Sequence, residues 1–248
     1  MLIKKYNIMN KSIVLIAALL SITFSQAQWG GKKIKGNGNI SKITRTTSDY
    51  NAVHCAGSFD YILVAGTEGE ITIEGESNLI EYIVTEVKSG QLIIKTEKGK
   101  NLNPSRNQTI KITIPFKDLD AVSLSGSGDL WSEDLISATN LEVTLSGSGD
   151  IILSIKTKSA TGKVNGSGDL TLKGSTSNLR AGVIGSGDFH GFNLKTSNTD
   201  VTVTGSGDAE VICTGNLKAR VKGSGDIEYR GHPKNKDKKI TGSGSIEN

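Results

Sequence analysis

The chain has 248 residues, of which 35% are hydrophobic and 5% aromatic, with 29 basic and 25 acidic side chains. Lys4, Lys5 and Lys11 lie in the first 27 residues, which carry no acid, so the rest has 26 basic and 25 acidic residues. A net charge of +1 excludes an electrostatic argument for binding nucleic acid or another polyanion.

The N-terminus has the three parts of a secretory signal peptide. Basic residues precede a short apolar run over 13–24, and small residues at 25–27 suit cleavage. About 12 apolar residues fall short of the roughly 20 that span a bilayer, which favours cleavage over a membrane anchor. We expect a signal peptide over 1–27 and export to the periplasm, the outer cell surface or the medium. The mature chain is then not membrane-spanning.

The region after the signal is β-rich but irregular. Residues 28–47 are rich in Gly, Lys and Asn and predict a flexible leader. Between 48 and 120, alternating apolar residues predict strands, with a loop at 101–108. The predicted strands are 59–65, 70–74, 80–87, 91–96 and 109–114. We interpret 48–120 as an N-terminal cap of the region that follows, and a separate domain stays open.

Residues 121–248 contain a repeat. Gly-Ser-Gly occurs seven times at intervals of 18 to 21 residues, followed by Asp in six copies and by Ser245 in the last. The corner residues are Gly126, Gly128, Asp129, Gly147, Gly149, Asp150, Gly166, Gly168, Asp169, Gly185, Gly187, Asp188, Gly205, Gly207, Asp208, Gly223, Gly225 and Asp226. A fixed period of this length is typical of a solenoid.

Apolar residues hold constant positions around each corner. Two residues before the first glycine stand Leu124, Leu145, Val164, Val183, Val203, Val221 and Ile240. Directly after the corner stand Leu130, Ile151, Leu170, Phe189, Ala209, Ile227 and Ile246. Both columns are predicted to face inward, because units of about 19 residues bury their apolar face only by stacking, roughly 4.8 Å apart. Glycine at the corner permits the sharp turn and the close approach of rungs.

The aspartate column permits three interpretations. The favoured one is that each carboxylate accepts hydrogen bonds from backbone N–H groups of its own turn. Calcium bridging between adjacent rungs and a catalytic role are the alternatives. Ser245 keeps a side-chain oxygen without the charge, which suits hydrogen bonding better than a metal ladder.

Motifs of catalysis are sparse. His54, His190 and His232 have unrelated offsets from the corners, and the sequence contains no His-Glu-x-x-His, Gly-x-Ser-x-Gly or Cys-x-x-Cys. An enzyme would have to combine acids with basic residues of neighbouring rungs. The basic candidates are Lys173, Arg180, Lys195, Lys218, Arg220, Lys222 and Arg230. Cys55 and Cys213 are predicted to be buried separately rather than paired.

The exported N-terminus, the divergent β segments at 59–64 and 91–94, and the iterated Gly-Ser-Gly-Asp units resemble one known family. It is the putative auto-transporter adhesins, head GIN domain, of Bacteroidetes-type bacteria, and the resemblance covers roughly 48–230. It implies an all-β, right-handed parallel β-helix and a role in adhesion.

We therefore predict a secreted or cell-envelope adhesion or interaction module, with no catalytic, metal or cofactor site. A polysaccharide-active β-helix enzyme, a lyase or hydrolase, is the alternative. The expected partner is an unidentified surface ligand, a glycan or a protein. A homo-oligomer stays open.

Overall fold

The computed structural model describes residues 31–248, so the predicted signal peptide lies outside the described residues. This part of the chain is all-β, apart from the four-residue helix α1 at Ser77–Ile80. It contains no helix with the length and hydropathy of a membrane span. The strands are β1 Lys32–Lys35, β2 Ile40–Thr46, β3 Ala52–Gly57, β4 Asp60–Ala65, β5 Glu70–Glu76, β6 Ile83–Lys88, β7 Gln91–Thr96, β8 Lys100–Asn103, β9 Lys111–Phe116, β10 Ala121–Gly126, β11 Leu130–Ser132, β12 Ile136–Gly147, β13 Ile151–Gly166, β14 Leu170–Gly185, β15 Phe189–His190, β16 Leu194–Gly205, β17 Ala209–Ile212, β18 Asn216–Gly223, β19 Ile227–Arg230, β20 Asn235–Gly242 and β21 Ile246–Glu247.

The repeats stack as parallel coils about 19 residues apart, which confirms the predicted β-solenoid. The segments before the corners form one ladder, called the first face: β3, β10, β12, β13, β14, β16, β18 and β20. The segments after the corners form the second face: β4, β11, β13, β14, β15, β17, β19 and β21. The long strands β13 and β14 contribute to both. The first glycines of the seven corners are in register from Gly126 to Gly242, and Gly57 of β3 continues the same column by one rung.

The two predicted apolar columns form the core, with one exception. Their members are buried from Leu124 and Leu130 onward, but Ile240 is 46% exposed. Ile240 lies in β20, the outermost first-face strand among the described residues, so no further rung covers it. Ile240 therefore belongs to the inward column, but its side chain is exposed because no neighbouring rung packs on it.

Lysines cover the same end of the stack. Lys236 and Lys238 are in register with the buried Leu217 and Ala219 of the preceding rung. Their Nζ atoms lie 5.5 and 4.7 Å from the centre of the Tyr229 ring. Inward-pointing charges of this kind discourage another strand from pairing with an open edge.

At the other end, the parallel stack gives way to antiparallel strands. Beneath β3 lies β7, which pairs with β6 in a hairpin, and beneath β4 lies β9, which pairs with β5. Strand β2 then covers β5. The parallel ladders run without a break from β3 and β4 to β10 and β11, across the predicted boundary between 48–120 and 121–248. This boundary therefore stays a prediction.

The prediction of a flexible leader over 28–47 is wrong for the residues described. This stretch contains β1, which pairs with β8, and β2, which pairs with β5. The sequence did not predict β1 because this strand is almost entirely exposed and has no alternation of apolar residues. The loop predicted at 101–108 overlaps β8, whose single apolar residue, Leu102, gives no alternation, and α1 ends at residue 80, where a strand over 80–87 was predicted.

A buried carboxylate fixes this N-terminal part. Glu76 is 1% exposed and accepts hydrogen bonds from the N–H groups of Gly38 and Ser105 and from the Ser105 hydroxyl. Burial by itself would raise the pKa of Glu76, but these hydrogen bonds outweigh it and lower the pKa below its ordinary value. The carboxylate thus ties the connection between β1 and β2 to the loop after β8.

Candidate functional site

The glycine corner is closed by close contact between rungs. Gly166 has a φ of +137°, a conformation that L side chains rarely adopt. A Cβ on Gly168 would come within 3.0 Å of the carbonyl oxygen of Gly149 in the preceding rung. The N–H groups of Ser167 and Gly168 both donate to the Gly147 carbonyl, at 2.8 and 3.1 Å. The corner has no room for a ligand between its rungs.

The aspartates form a ladder along the stack. The Oδ1 atom of each accepts the backbone N–H of the residue one rung further, as in Asp188 N–H to Asp169 at 3.0 Å and Asp208 N–H to Asp188 at 2.7 Å. Ser245 N–H ends the ladder on Asp226 at 2.6 Å. The expectation that each carboxylate serves its own turn is therefore wrong, since backbone N–H groups in a parallel stack point towards the neighbouring rung.

One part of the ladder carries a histidine. Single ligand atoms of Asp169, Asp188 and His190 lie within 4.8 Å of one another, and the three residues are half-buried. His190 Nδ1 lies 3.3 Å from the Oε2 atom of Glu210, and its Nε2 atom lies 3.9 Å from Asp169 Oδ2. Carboxylate oxygens are the ligands that calcium prefers, whereas the imidazole is not one of them, and the calcium alternative stays a prediction.

The other chemistry-bearing candidates are dispersed. His54 lies on the first face, where its Nδ1 atom is 2.8 Å from the Ser123 hydroxyl, whereas His190 lies on the second face. Cys55 and Cys213 are buried free thiols, which confirms that they are unpaired. Burial raises the pKa of the Cys55 thiol well above its ordinary value, so this thiol is a poor nucleophile.

The sequence reading missed a second ladder, made of amides. Seven residues before the first glycine of the six corners from Gly147 onward stand Asn140, Ser159, Asn178, Asn198, Asn216 and Asn235, which lie on adjacent rungs. Their side chains hydrogen-bond along the stack, for example Asn216 Nδ2 to Asn198 Oδ1 at 2.8 Å. The constant distance of seven residues from the corner could have identified this column in the sequence. We call this set the asparagine column.

Two residues along each strand lies a column of charges. It consists of Glu142, Thr161, Arg180, Asp200, Lys218 and Asp237. Lys218 pairs with Asp200 at 3.0 Å, and Arg180 approaches the same carboxylate at 4.0 Å. Of the basic candidates from the sequence, Arg180, Lys218, Arg220 and Lys222 meet on this face, whereas Arg230 lies on the second.

The asparagine column and the charge column line a groove on the first face. The groove has a volume of about 690 Å³ and crosses five rungs, from Ser159 to Asn235. At a strand spacing of about 4.8 Å, five rungs extend over roughly 19 Å. Its floor includes Leu179 and Leu217, and its walls carry amides and charges. A site of this shape can hold an extended ligand along the stack.

Comparisons with known proteins agree with this architecture. Over residues 49–233, the sequence matches the family described as "Putative auto-transporter adhesin, head GIN domain". The solved structure of a putative adhesin from Bacteroides fragilis aligns with a TM-score of 0.81 at 23% identity, covering 87% of this chain and 99% of that one. A putative lipid binding protein from Parabacteroides distasonis has a TM-score of 0.74 at 27% identity, with the same coverage of both chains. Among curated proteins none matches the sequence.

Proposed function

Because the chain belongs to the head GIN domain family of putative auto-transporter adhesins, we propose that it is an exported adhesion module of the cell envelope. Its role is to bind a surface ligand without chemical conversion. The family name supports adhesion, and the three-part N-terminus supports export.

The groove on the first face is the observation that carries this proposal. It runs parallel to the stack axis, so successive rungs present the asparagine column on one side and, from Arg180 onward, charges of alternating sign on the other. Parallel ladders on both sides of β13, β14, β16 and β18, and on the inner side of β20, hold its walls in place. A long, preformed surface of this kind binds a polymer with little loss of conformational entropy in the protein.

The charges at the groove support binding rather than catalysis. Lys218 and Asp200 form an ion pair, and so do Arg220 and Asp237. A general acid or base needs a free group held near the reacting atom, whereas these groups are engaged with each other. The first face therefore presents these ion pairs, together with the asparagine column, as hydrogen-bonding partners for a ligand.

The test uses the mature chain, residues 28–248, on bacterial and epithelial cells and on immobilised polysaccharides. We expect saturable retention without depolymerisation of the polysaccharide. Thr161→Trp places an indole in the groove and should abolish retention, whereas Thr171→Trp places the same group on the second face and should not. Depolymerisation by the wild type, or retention that both variants leave unchanged, contradicts the proposal.

A further inference from the structure

One rung of the first face departs from the outward polar pattern at two positions. Three residues before each first glycine stand Ser123, Thr144, Lys163, Gly182, Thr202, Arg220 and Lys239. One residue before it stand Ser125, Ser146, Asn165, Ile184, Thr204, Lys222 and Thr241. Only the rung of β14 combines a missing side chain, at Gly182, with an apolar one, at Ile184.

The fold does not require glycine at position 182. Its φ is outside the left-handed region, unlike that of Gly185 at the adjacent corner. A Cβ built on Gly182 would meet no heavy atom within 4 Å. Ile184 beside it is 58% exposed, the largest value among the exposed large hydrophobic residues described. Neither residue serves the packing of the stack.

Together they form a recess with defined walls, the Gly182 notch. Arg180 and Ile184 flank it along β14, while Lys163 and Thr202 flank it on the neighbouring rungs. The cavity here has a volume of about 420 Å³. Its lining combines an apolar part around Gly182 and Ile184 with three cations, one carboxylate, one amide and two hydroxyls, contributed by Lys163, Arg180, Lys218, Asp200, Asn165, Thr202 and Thr204.

The notch favours a negative group. From β12 to β20, the charge column and the columns three and one residues before the first glycine carry six basic and three acidic residues. The side chain of Arg180 is 73% exposed, and its contact with Asp200 is long, at 4.0 Å. Asp200 has a closer partner in Lys218, at 3.0 Å. Arg180 is therefore the cation whose charge is least engaged at the notch, and it suits a carboxylate.

We propose that the Gly182 notch binds a carboxylated sugar unit, a uronic acid, of a polysaccharide that lies along the first face. This rests on the proposed adhesion function and names its ligand class. The apolar face of the sugar ring covers Gly182 and packs against Ile184. Its hydroxyls meet Thr202 and Asn165, and its carboxylate meets Arg180.

The position of the notch in the sheet favours a sugar over an acidic peptide. Sheets commonly bind peptides by adding a strand at a free edge. β14 has no free edge here, because it pairs with β13 on one side and with β16 on the other. Recognition at the notch therefore falls to side chains, whose hydroxyl, amide and guanidinium groups match a hydroxyl-rich acid.

The experiment measures binding of six-unit oligomers of galacturonate, mannuronate and hyaluronan by calorimetry, beside cellohexaose and hexaglutamate. We expect at least one uronate oligomer to bind, more weakly at high salt. Gly182→Thr puts a side chain into the notch, where a Cβ would meet no heavy atom within 4 Å, and should weaken this binding at least about tenfold while leaving the melting temperature unchanged or higher. Ser146→Thr, two rungs away, is the matched control and should bind as the wild type does.

Arg180→Gln separates the charge from the shape. It should reduce uronate binding at least about tenfold and weaken its salt dependence. The proposal is overturned if no uronate oligomer binds, if cellohexaose or hexaglutamate binds as tightly, or if Gly182→Thr leaves binding unchanged. If Thr161→Trp abolishes retention on cells but Gly182→Thr does not, the proposal for the notch is wrong while the adhesion function stands.

Discussion

At the scale of single residues, carboxylates act as hydrogen-bond acceptors that join separate parts of the backbone. The aspartate ladder links each corner to the next rung, as Asp188 does to the N–H of Asp208. Glu76 plays the corresponding role at the N-terminal end, with Gly38 and Ser105 as donors. Both arrangements make the fold depend on an oxygen acceptor, but only the second is buried.

Substitutions of Asp188 should distinguish the hydrogen bond from calcium binding. Asp188→Asn keeps an oxygen acceptor and relieves repulsion between stacked carboxylates, so it should change stability little. Asp188→Ala leaves the N–H of Asp208 without its acceptor and should cost about 1 to 2 kcal/mol. Urea unfolding measures both. A melting temperature that falls in chelator, with Asn as damaging as Ala, would instead establish a calcium ladder.

Glu76 should make stability depend on pH. Because its pKa is lowered in the folded state, its contribution is fully present above the unfolded-state pKa, roughly 4.3, and is lost as the pH falls through the folded value. Glu76→Gln should therefore cost about 1.5 to 3 kcal/mol near pH 6 and less at about pH 3. Equal losses at both pH values in urea titrations would show that ionisation of Glu76 is irrelevant.

At the scale of elements, position in the rung decides what a glycine does. Gly168 is held against the Gly149 carbonyl, whereas Gly182 faces open space. Gly168→Ala should destabilise the chain by roughly 2 to 4 kcal/mol, because the rungs must move apart. Gly182→Ala should stabilise it by about 0.4 to 1 kcal/mol through the unfolded chain. Similar unfolding midpoints for the two variants would mean that the corner is looser than described.

The last first-face strand, β20, provides a test of edge protection. Replacing Lys236 and Lys238 by Val extends the apolar columns of Leu217 and Ala219 to an open edge, so the variant should associate. Size-exclusion chromatography with light scattering measures this. Lys234→Val, which lies just before β20, is the control and should remain like the wild type. An unchanged profile for the double variant would show that the lysines do not protect the edge.

At the scale of the whole molecule, the repeat predicts the architecture because each rung reuses the same two apolar columns and the same glycine corner. The aspartate hydrogen bonds were assigned to the wrong N–H groups, because the corner was considered as an isolated turn and not as a part of the parallel stack. β1 stayed hidden because strand pairing without burial leaves no apolar period. The notch could be recognised only from the register, which places Gly182 between Lys163 and Thr202 and Ile184 between Asn165 and Thr204.

The central claim is that the glycine and aspartate corners are scaffold and the first face is the binding surface. Retention of the mature chain on ligand-bearing cells, measured side by side for Asp188→Asn and Thr161→Trp, tests it most directly. The account predicts that Asp188→Asn is retained like the wild type and that Thr161→Trp is not. Loss of retention with Asp188→Asn, together with normal retention of Thr161→Trp, would place the binding site at the corners and contradict the account.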